Sequence, residues 1–315
     1  MKNISPTQLK KSILAVEAER AKYPARLKPD RSQRATLKKG RQASDKMLAG
    51  VLKKAGLNLK QLQATQAKRD AELARMVAKH KANALKAAKR KDTLYSSVTA
   101  QSKALAALAP LSDFFPHPTF TLDTPFLIWS IPLIDITDSA AVPFGSWAKF
   151  DFKTSQSVTQ KVGFYFYWRN PYLDYALITA TTSFSATGHL TAHAPWGLAA
   201  NNCFAGTEAL FNLWTGWPTA ATSGTYASAD LGHVAAVTGL FSGDSEATSI
   251  SAGVTLSTAI LIVPPGDTVV FEVAISLDCD NSGCTIDADF ASGNFKIECP
   301  VVVFSLLNSP AGSMT

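Results

Sequence analysis

Between Thr268 and Leu277 the side chains alternate in kind, with Val269, Phe271, Val273, Ile275 and Leu277 on one side and Val270, Glu272, Ala274 and Ser276 on the other. A period of two is the mark of a strand that turns one face to a core. Gly163-Phe164-Tyr165-Phe166-Tyr167-Trp168 repeats the pattern, Phe against Tyr. Strand signals then account for nearly everything after Pro110. They fall at Phe120–Ile131, Ser146–Lys153, Lys161–Trp168, Tyr175–Ser185, His189–Ala194 and Ala209–Trp214. They continue at His233–Phe241, Ser249–Val263, Thr268–Leu277, Thr285–Phe290 and Asn294–Leu307. Between them stand turn signals such as Arg169-Asn170-Pro171, Pro264-Pro265-Gly266-Asp267, Asn281-Ser282-Gly283 and Ser292-Gly293-Asn294. No segment here keeps a helical period beyond one or two turns, and no internal repeat is visible. The expected fold is mainly β, a two-sheet antiparallel β-sandwich of jelly-roll-like form.

The chain before Pro110 is a different object. It carries 26 Lys and Arg against 7 Asp and Glu, a net +19, and only two aromatics, Tyr23 and Tyr95. The remaining 205 residues carry 5 against 17, a net −12, with the other 28 aromatics. Only the second part has the apolar content for a large core of its own. Three regions follow: short basic helices over 1–57, a long Ala/Lys-rich helix and linker over 58–110, and an acidic sandwich over 111–315. Ser5-Pro6 is a good helix start, with Ser as the cap and Pro in the first turn. Leu9, Ile13, Leu14, Val16 and Ala18 share roughly one face before Pro24 interrupts, and a second helix is expected from Ser32 to Ala55. From Leu59 to Arg90 there is neither Pro nor Gly, only strong helix formers. Its apolar stripe is thin: Leu59, Leu62, Leu73, Met76, Val77 and Leu85. Leu62, Leu73 and Ala84 recur at eleven rather than seven, which argues against a regular left-handed coiled coil.

Several classes of protein are excluded by what is missing. The opening MKNISPTQLKKSILAVEAER has no secretory apolar region, and no window reaches the ~18–20 apolar residues of a membrane helix. The chain therefore reads as soluble, made without a signal peptide, and either cytoplasmic or released by other means. Four cysteines, Cys203, Cys279, Cys284 and Cys299, are too few for a disulfide scaffold and are expected as free thiols, although Cys279 and Cys284 could face each other across a hairpin. There is no Walker loop, no Gly-x-Gly-x-x-Gly after a strand and no Cys-x-x-Cys, so no cofactor is expected. Ser242-Gly243-Asp244-Ser245 is similar to the Gly-Asp-Ser opening of one esterase family, but no His follows His233 to serve as a downstream base. The protein is expected not to be an enzyme.

Four features bear on binding. Asp278-Cys279-Asp280-Asn281-Ser282-Gly283 spells the first half of a calcium loop, which would use Asp278, Asp280, Ser282 and, at its twelfth position, Asp289. Strand-like flanks favour a plain hairpin turn instead. His189 and His193 lie four apart, the zinc spacing on a helix, but on a strand they are ~13 Å apart. Of the tryptophans, Trp129, Trp147 and Trp168 sit in strand patterns and are expected in the core. Trp196, Trp214 and Trp217 stand in or beside connections, where they could stack on a carbohydrate or be folded under. The long helix concentrates positive charge at Lys79, Lys81, Lys86, Lys89, Arg90 and Lys91. Such a face could follow a nucleic acid without reading its sequence, or dock on an acidic surface of its own or a neighbouring subunit, or stand as a solvated stalk.

Pro125-Phe126-Leu127-Ile128-Trp129, Ser146-Trp147-Ala148-Lys149-Phe150 and Phe164-Tyr165-Phe166-Tyr167-Trp168-Arg169-Asn170-Pro171 together resemble segments of a set of uncharacterised bacterial proteins. So do Val263 to Val273 and Asp289 to Pro300. That set has a helical N-terminal part and a β-rich C-terminal part, and the likeness covers about residues 120–305 and none of the arm. It implies the layout and no activity. In layout alone, a basic arm before a jelly roll also resembles a small viral coat protein. The expectation is a homo-oligomeric structural or assembly protein whose arm binds acidic partners, with a lectin-like module on a helical stalk as the alternative.

Overall fold

Ser5 closes the first helix as a capping pair: Gln8 N–H donates to Ser5 Oγ (3.3 Å) and Ser5 N–H donates to Gln8 Oε1 (3.0 Å). The computed structural model describes residues 5–27, 50, 53, 60, 64, 67–68, 71–72, 74–88, 118–131, 134–195, 202–215, 222–238 and 243–308. Helix α1 spans Pro6–Leu27. Pro24 does not interrupt it, contrary to expectation, because an internal proline removes one backbone hydrogen bond without forbidding the next turn. A second helix, α2, covers 74–88 within the long Ala/Lys segment. The helix expected over 32–55, apart from single helical positions at 50 and 53, and the linker from Val98 to Pro110 lie outside the described residues.

Among the described residues eleven strands follow: β1 Thr119–Leu122, β2 Leu127–Ile131, β3 Ile136–Ala140, β4 Ser146–Arg169, β5 Ala176–Ala194, β6 Asn202–Thr215, β7 Thr222–Val237, β8 Asp244–Ser257, β9 Leu261–Val263, β10 Thr268–Asp289 and β11 Lys296–Leu306. All pair antiparallel. The two longest, β4 and β10, each run through both layers of the sandwich. In sheet I the order is β2, the second half of β4, the first half of β10, β6 and β7. In sheet II the first half of β4 lies beside β3 and beside the end of β10 and the start of β11, which in turn border β5 and then β8. Strand β1 pairs with the far end of β11, and β9 with the start of β5.

The core lies between the layers. Val162, Phe164 and Phe166 of β4, Phe271 and Val273 of β10 and Phe211 of β6 meet Phe184, Ile178 and Phe304 from the opposite sheet. The inward row of β10 is the row that its alternation marks. Its outward row is buried too, with Val270, Glu272 and Ala274 all at or below 1% exposure. Strand β10 is central, and a central strand covered on its outer side has no solvent face.

The strands differ in several places from the division that the sequence pattern implies. The two segments expected at Ser146–Lys153 and Lys161–Trp168 are one 24-residue strand, and Tyr175–Ser185 and His189–Ala194 are likewise one. Phe120–Ile131 is two strands with different partners, parted at Asp123-Thr124-Pro125, where Pro125 has no N–H to give a ladder. Ser249–Val263 also splits, into β8 and β9. Strand β3 has no counterpart among the sequence signals, being a mostly exposed edge without alternation. Asp278–Gly283 is not a hairpin turn. It is an irregular stretch inside β10, where the register against β4 shifts between Cys279 and Ser282 and again before Ile286. Cys279 and Cys284 therefore flank a bulge, and all four cysteines are buried and outside any disulfide. A true turn is found at Pro264-Pro265-Gly266-Asp267: Asp267 N–H donates to Pro264 O (3.2 Å), and Gly266 supplies the positive φ of 73° that a type II turn requires.

Gly188 is a close approach rather than a turn. A Cβ there would lie 2.5 Å from the Phe290 ring and 2.9 Å from the Asp289 carbonyl oxygen. Phe290 cannot swing away, because it stacks on Phe150 with centroids 4.9 Å apart. Gly188→Ala is expected to destabilise the sandwich by about 1–3 kcal/mol, the usual cost of overpacking, measured as a lower urea midpoint.

Candidate partner-binding arm and its seats on the sandwich

Each described helix of the basic part lies on the outer face of a different sheet. Helix α1 seats Leu9 and Ile13, at 2% and 0% exposure, on Leu127 of β2, Tyr165 of β4 and Val270 of β10. Leu14 and Val16 join from the helix, and Phe126, Trp129, Tyr167 and Trp214 from the sheet. Spacing of four puts Leu9 and Ile13 one above the other, which is why the sequence marks this face.

Helix α2 lies on sheet II. Val77, Lys81, Ala84, Leu85 and Ala88 turn inward, and Ala84 and Ala88 pack on Phe295. The expected stripe is therefore partly wrong: Met76 is 54% exposed, and alanines form the seat. Small side chains allow the helix to come close to a face that is crowded with polar groups. Lys81 Nζ pairs with Asp289 Oδ2, while Asp289 Oδ1 accepts from the N–H groups of Ala291 (3.0 Å) and Ser292 (2.9 Å). Burial alone would raise the Asp289 pKa; the hydrogen bonds from Lys81, Ser292 and Ala291 outweigh it and hold the group at about 2. Next to Lys81, His80 Nδ1 meets His189 Nε2 at 3.2 Å, and His189 Nδ1 meets Thr191 Oγ1 at 3.3 Å. Asp287, on the same face, is pushed upward by burial.

The basic residues singled out from the sequence divide accordingly. Lys81 is engaged on the chain's own sandwich, while Lys79 and Lys86 are exposed, as is Arg75. Lys89, Arg90 and Lys91 lie outside the described residues. The calcium-loop oxygens do not converge: Asp278 Oδ1 accepts from Thr159, Asp280 Oδ1 from Ser157, and Asp289 is held by Lys81. The side chain of Ser282 is outside the description. No group of three or more potential metal ligands occurs among the described residues. Trp214 stands in β6 opposite Val270, half-buried in the cluster beneath α1, rather than in a connection. Trp196 and Trp217 are outside the described residues. Trp168 packs against the core and Trp129 lies under α1, but Trp147 is on the outer face of sheet II with Lys149 Nζ 6.0 Å from its ring centroid.

Two arrangements have little or no local sequence signal. Glu272, fully buried on the outer row of sheet I, is ion-paired with Lys161 and accepts from Tyr165 Oη (3.0 Å) and Asn212 Nδ2 (2.8 Å). Burial would raise its pKa, yet Lys161 and these donors pull it below the usual carboxylate range. A lone Glu in an apolar alternation is the only signal, and its partners come from other strands, sixty or more residues away. His193 Nδ1 meets Ser245 Oγ at 2.6 Å, so an imidazole does stand beside the Gly-Asp-Ser segment, upstream of it in the chain rather than downstream. The two residues are cross-strand neighbours on β5 and β8, and among the described residues no carboxylate orients His193.

No family model matches the chain, and no curated protein matches it. Among solved structures it shows similarity to the Eiger TNF of S. frugiperda, at 10% identity over 41% of this chain and 65% of that one, with a TM-score of 0.17. The globular domain of zebrafish complement 1qA is similar at 14% identity over 46% and 69%, TM-score 0.19. The carbohydrate-binding module CBM35 of Cellvibrio japonicus Abf62 is similar at 10% over 59% and 91%, TM-score 0.20. Likeness of this grade carries no functional argument. No helix among the described residues is long and apolar enough to cross a membrane.

Proposed function

We propose that this chain is a non-enzymatic assembly protein, a β-sandwich whose basic helical arm binds acidic partners: its own sandwich, neighbouring subunits, or a nucleic acid held without sequence preference. One observation carries the reading. Helix α2 is seated on sheet II through Lys81 and Asp289 while Arg75, Lys79 and Lys86 face outward, so one helix has both a docking face and an outward basic face. An outward cationic row of this kind suits a polyanion or the acidic sandwich of a second copy.

The two roles separate by mutation. Changing Lys79, Lys86, Lys89, Arg90 and Lys91 together to Gln keeps helix propensity and leaves Lys81 in place. If the outward row binds phosphates, the slope of log affinity against log salt should flatten by about 0.9 for each phosphate no longer neutralised. If it binds a second copy, mass photometry without nucleic acid should show fewer oligomers. A variant equal to the parent in both assays would sink the proposal.

A further inference from the structure

We propose that the pairing of His80 with His189 is an acid-sensitive latch, which holds α2 on sheet II near neutral pH and lets the basic arm leave as His189 takes up a proton. The proposal rests on the reading of the arm as a partner-binding element and adds what would control it.

His80 Nδ1 and His189 Nε2 face each other at 3.2 Å, with ring centroids 5.4 Å apart. An imidazole pair at this distance needs one donor and one acceptor, so it can hold one shared proton or a neutral tautomer pair. With both rings charged, two N–H donors point at each other and the bond is broken. His189 has little room to adjust: it is 1% exposed, fixed in β5 opposite Asp289, and tied through Nδ1 to Thr191.

The charges around the pair come from four elements. Helix α2 supplies His80 and Lys81, β10 supplies Asp287 and Asp289, β4 supplies Asp151 and Lys153, and β5 supplies His193 two residues beyond Thr191. On β8 the residue opposite His189 is the uncharged Ser249. Asp289 would favour a charged His189, but it is already committed to Lys81 and two backbone N–H groups. Burial, then His80 and Lys81, lower His189 from 6.5 to about 4 against the pull of Asp289. Once α2 leaves, His189 meets water and regains its ordinary affinity for protons, so the released state binds more protons between pH 6.5 and 4. Docking is therefore favoured above that window and lost as pH falls through it. From pH 7.5 to 5 the ratio of docked to released arm should fall on the order of ten-fold. The ion pair of Lys81 with Asp289 does not cause this loss, because Asp289 stays ionised down to about 2.

Release has a consequence for binding. Lys81 would join Lys79 and Lys86 on an exposed helix, enlarging the basic face at the moment the arm becomes free to reach a partner.

Hydrogen exchange of the full chain, corrected for the intrinsic pH dependence of exchange, tests the latch. Protection of 74–88 should fall about ten-fold from pH 7.5 to 5 while β4 and β10 stay protected. His189→Gln, which keeps a polar partner but does not titrate, should flatten that pH dependence, and His80→Gln, which removes one of the causes that lower His189, should weaken it. Asp289→Asn should lower protection at every pH and keep the slope. If the wild-type protection does not change with pH, or if both Gln variants retain the wild-type slope, the latch is wrong. If one Gln variant fails to dock at all, the other carries the test. Measured at a concentration where mass photometry shows a monomer, exchange reads docking, so a failed latch is distinguishable from a failed assembly reading, which is judged on oligomers and salt slopes.

Discussion

Replacing Lys161 by Met should destabilise the sandwich by about 3–5 kcal/mol at pH 7, because it leaves a buried carboxylate without its cation. Glu272 has no exposure in β10, and Lys161 reaches it with only 18% of its own side chain in water. In the wild type the Glu272 pKa is held below the ordinary range, so its contribution is present above that range and lost as pH falls through the lowered value. In the variant the sign reverses. Burial without Lys161 pushes the carboxyl upward, so the folded protein takes up a proton that the unfolded chain releases. The deficit should then be largest near pH 8 and shrink toward pH 5. Denaturant titrations of both proteins at three pH values measure this. A deficit below about 1 kcal/mol, or one that is constant with pH, would mean that Tyr165 and Asn212 alone satisfy the carboxylate. Lys161→Met with Glu272→Gln should recover much of the loss, because an amide can use the same Tyr and Asn partners without carrying charge.

Removing residues 1–110 should leave a sandwich that still melts cooperatively but is markedly less stable and prone to associate. All eleven strands remain, and the interlayer core does not include either helix. What is lost is the cover on two outer faces. Burial of Leu9 and Ile13 contributes about 1.5–3 kcal/mol each, and their departure opens Leu127, Tyr165 and Val270 to water. The fragment should bind a hydrophobic dye that the full chain does not. A peptide of residues 5–27 added in trans should suppress that binding, whereas a peptide with Ile13→Asp should not. An unfolded 111–315 fragment by circular dichroism would overturn the two-part reading, and a fragment as stable and dye-free as the full chain would mean that α1 contributes nothing to the outer face.

Calcium-type donors and complementary charge make different demands on the backbone. Asp278, Asp280 and Asp289 carry the right donor atoms, but an extended strand spreads them along its length and hands each to a different neighbour. A calcium loop works because its backbone coils around the ion. The positive arm and acidic sandwich, by contrast, need no special backbone to find each other, and Lys81 on Asp289 is where long-range attraction ends in a direct ion pair.

Local chemistry is legible from the sequence wherever the structure depends on neighbours in the chain. Side-chain alternation marks the core row of β10 and the Phe row of β4; Ser5 and Pro6 mark the start of α1; Leu9 and Ile13 mark its buried face; Pro265 and Gly266 mark a turn. Only the tertiary structure decided that β4 and β10 run unbroken through both layers, that Asp278–Gly283 is a bulge rather than a hairpin, and that Glu272 meets Lys161 while His189 meets His80. Those outcomes turn on strand register and on which face each helix covers. Both are set by pairings between residues about a hundred positions apart, whose free energy comes from burial and hydrogen bonds that no local pattern contains.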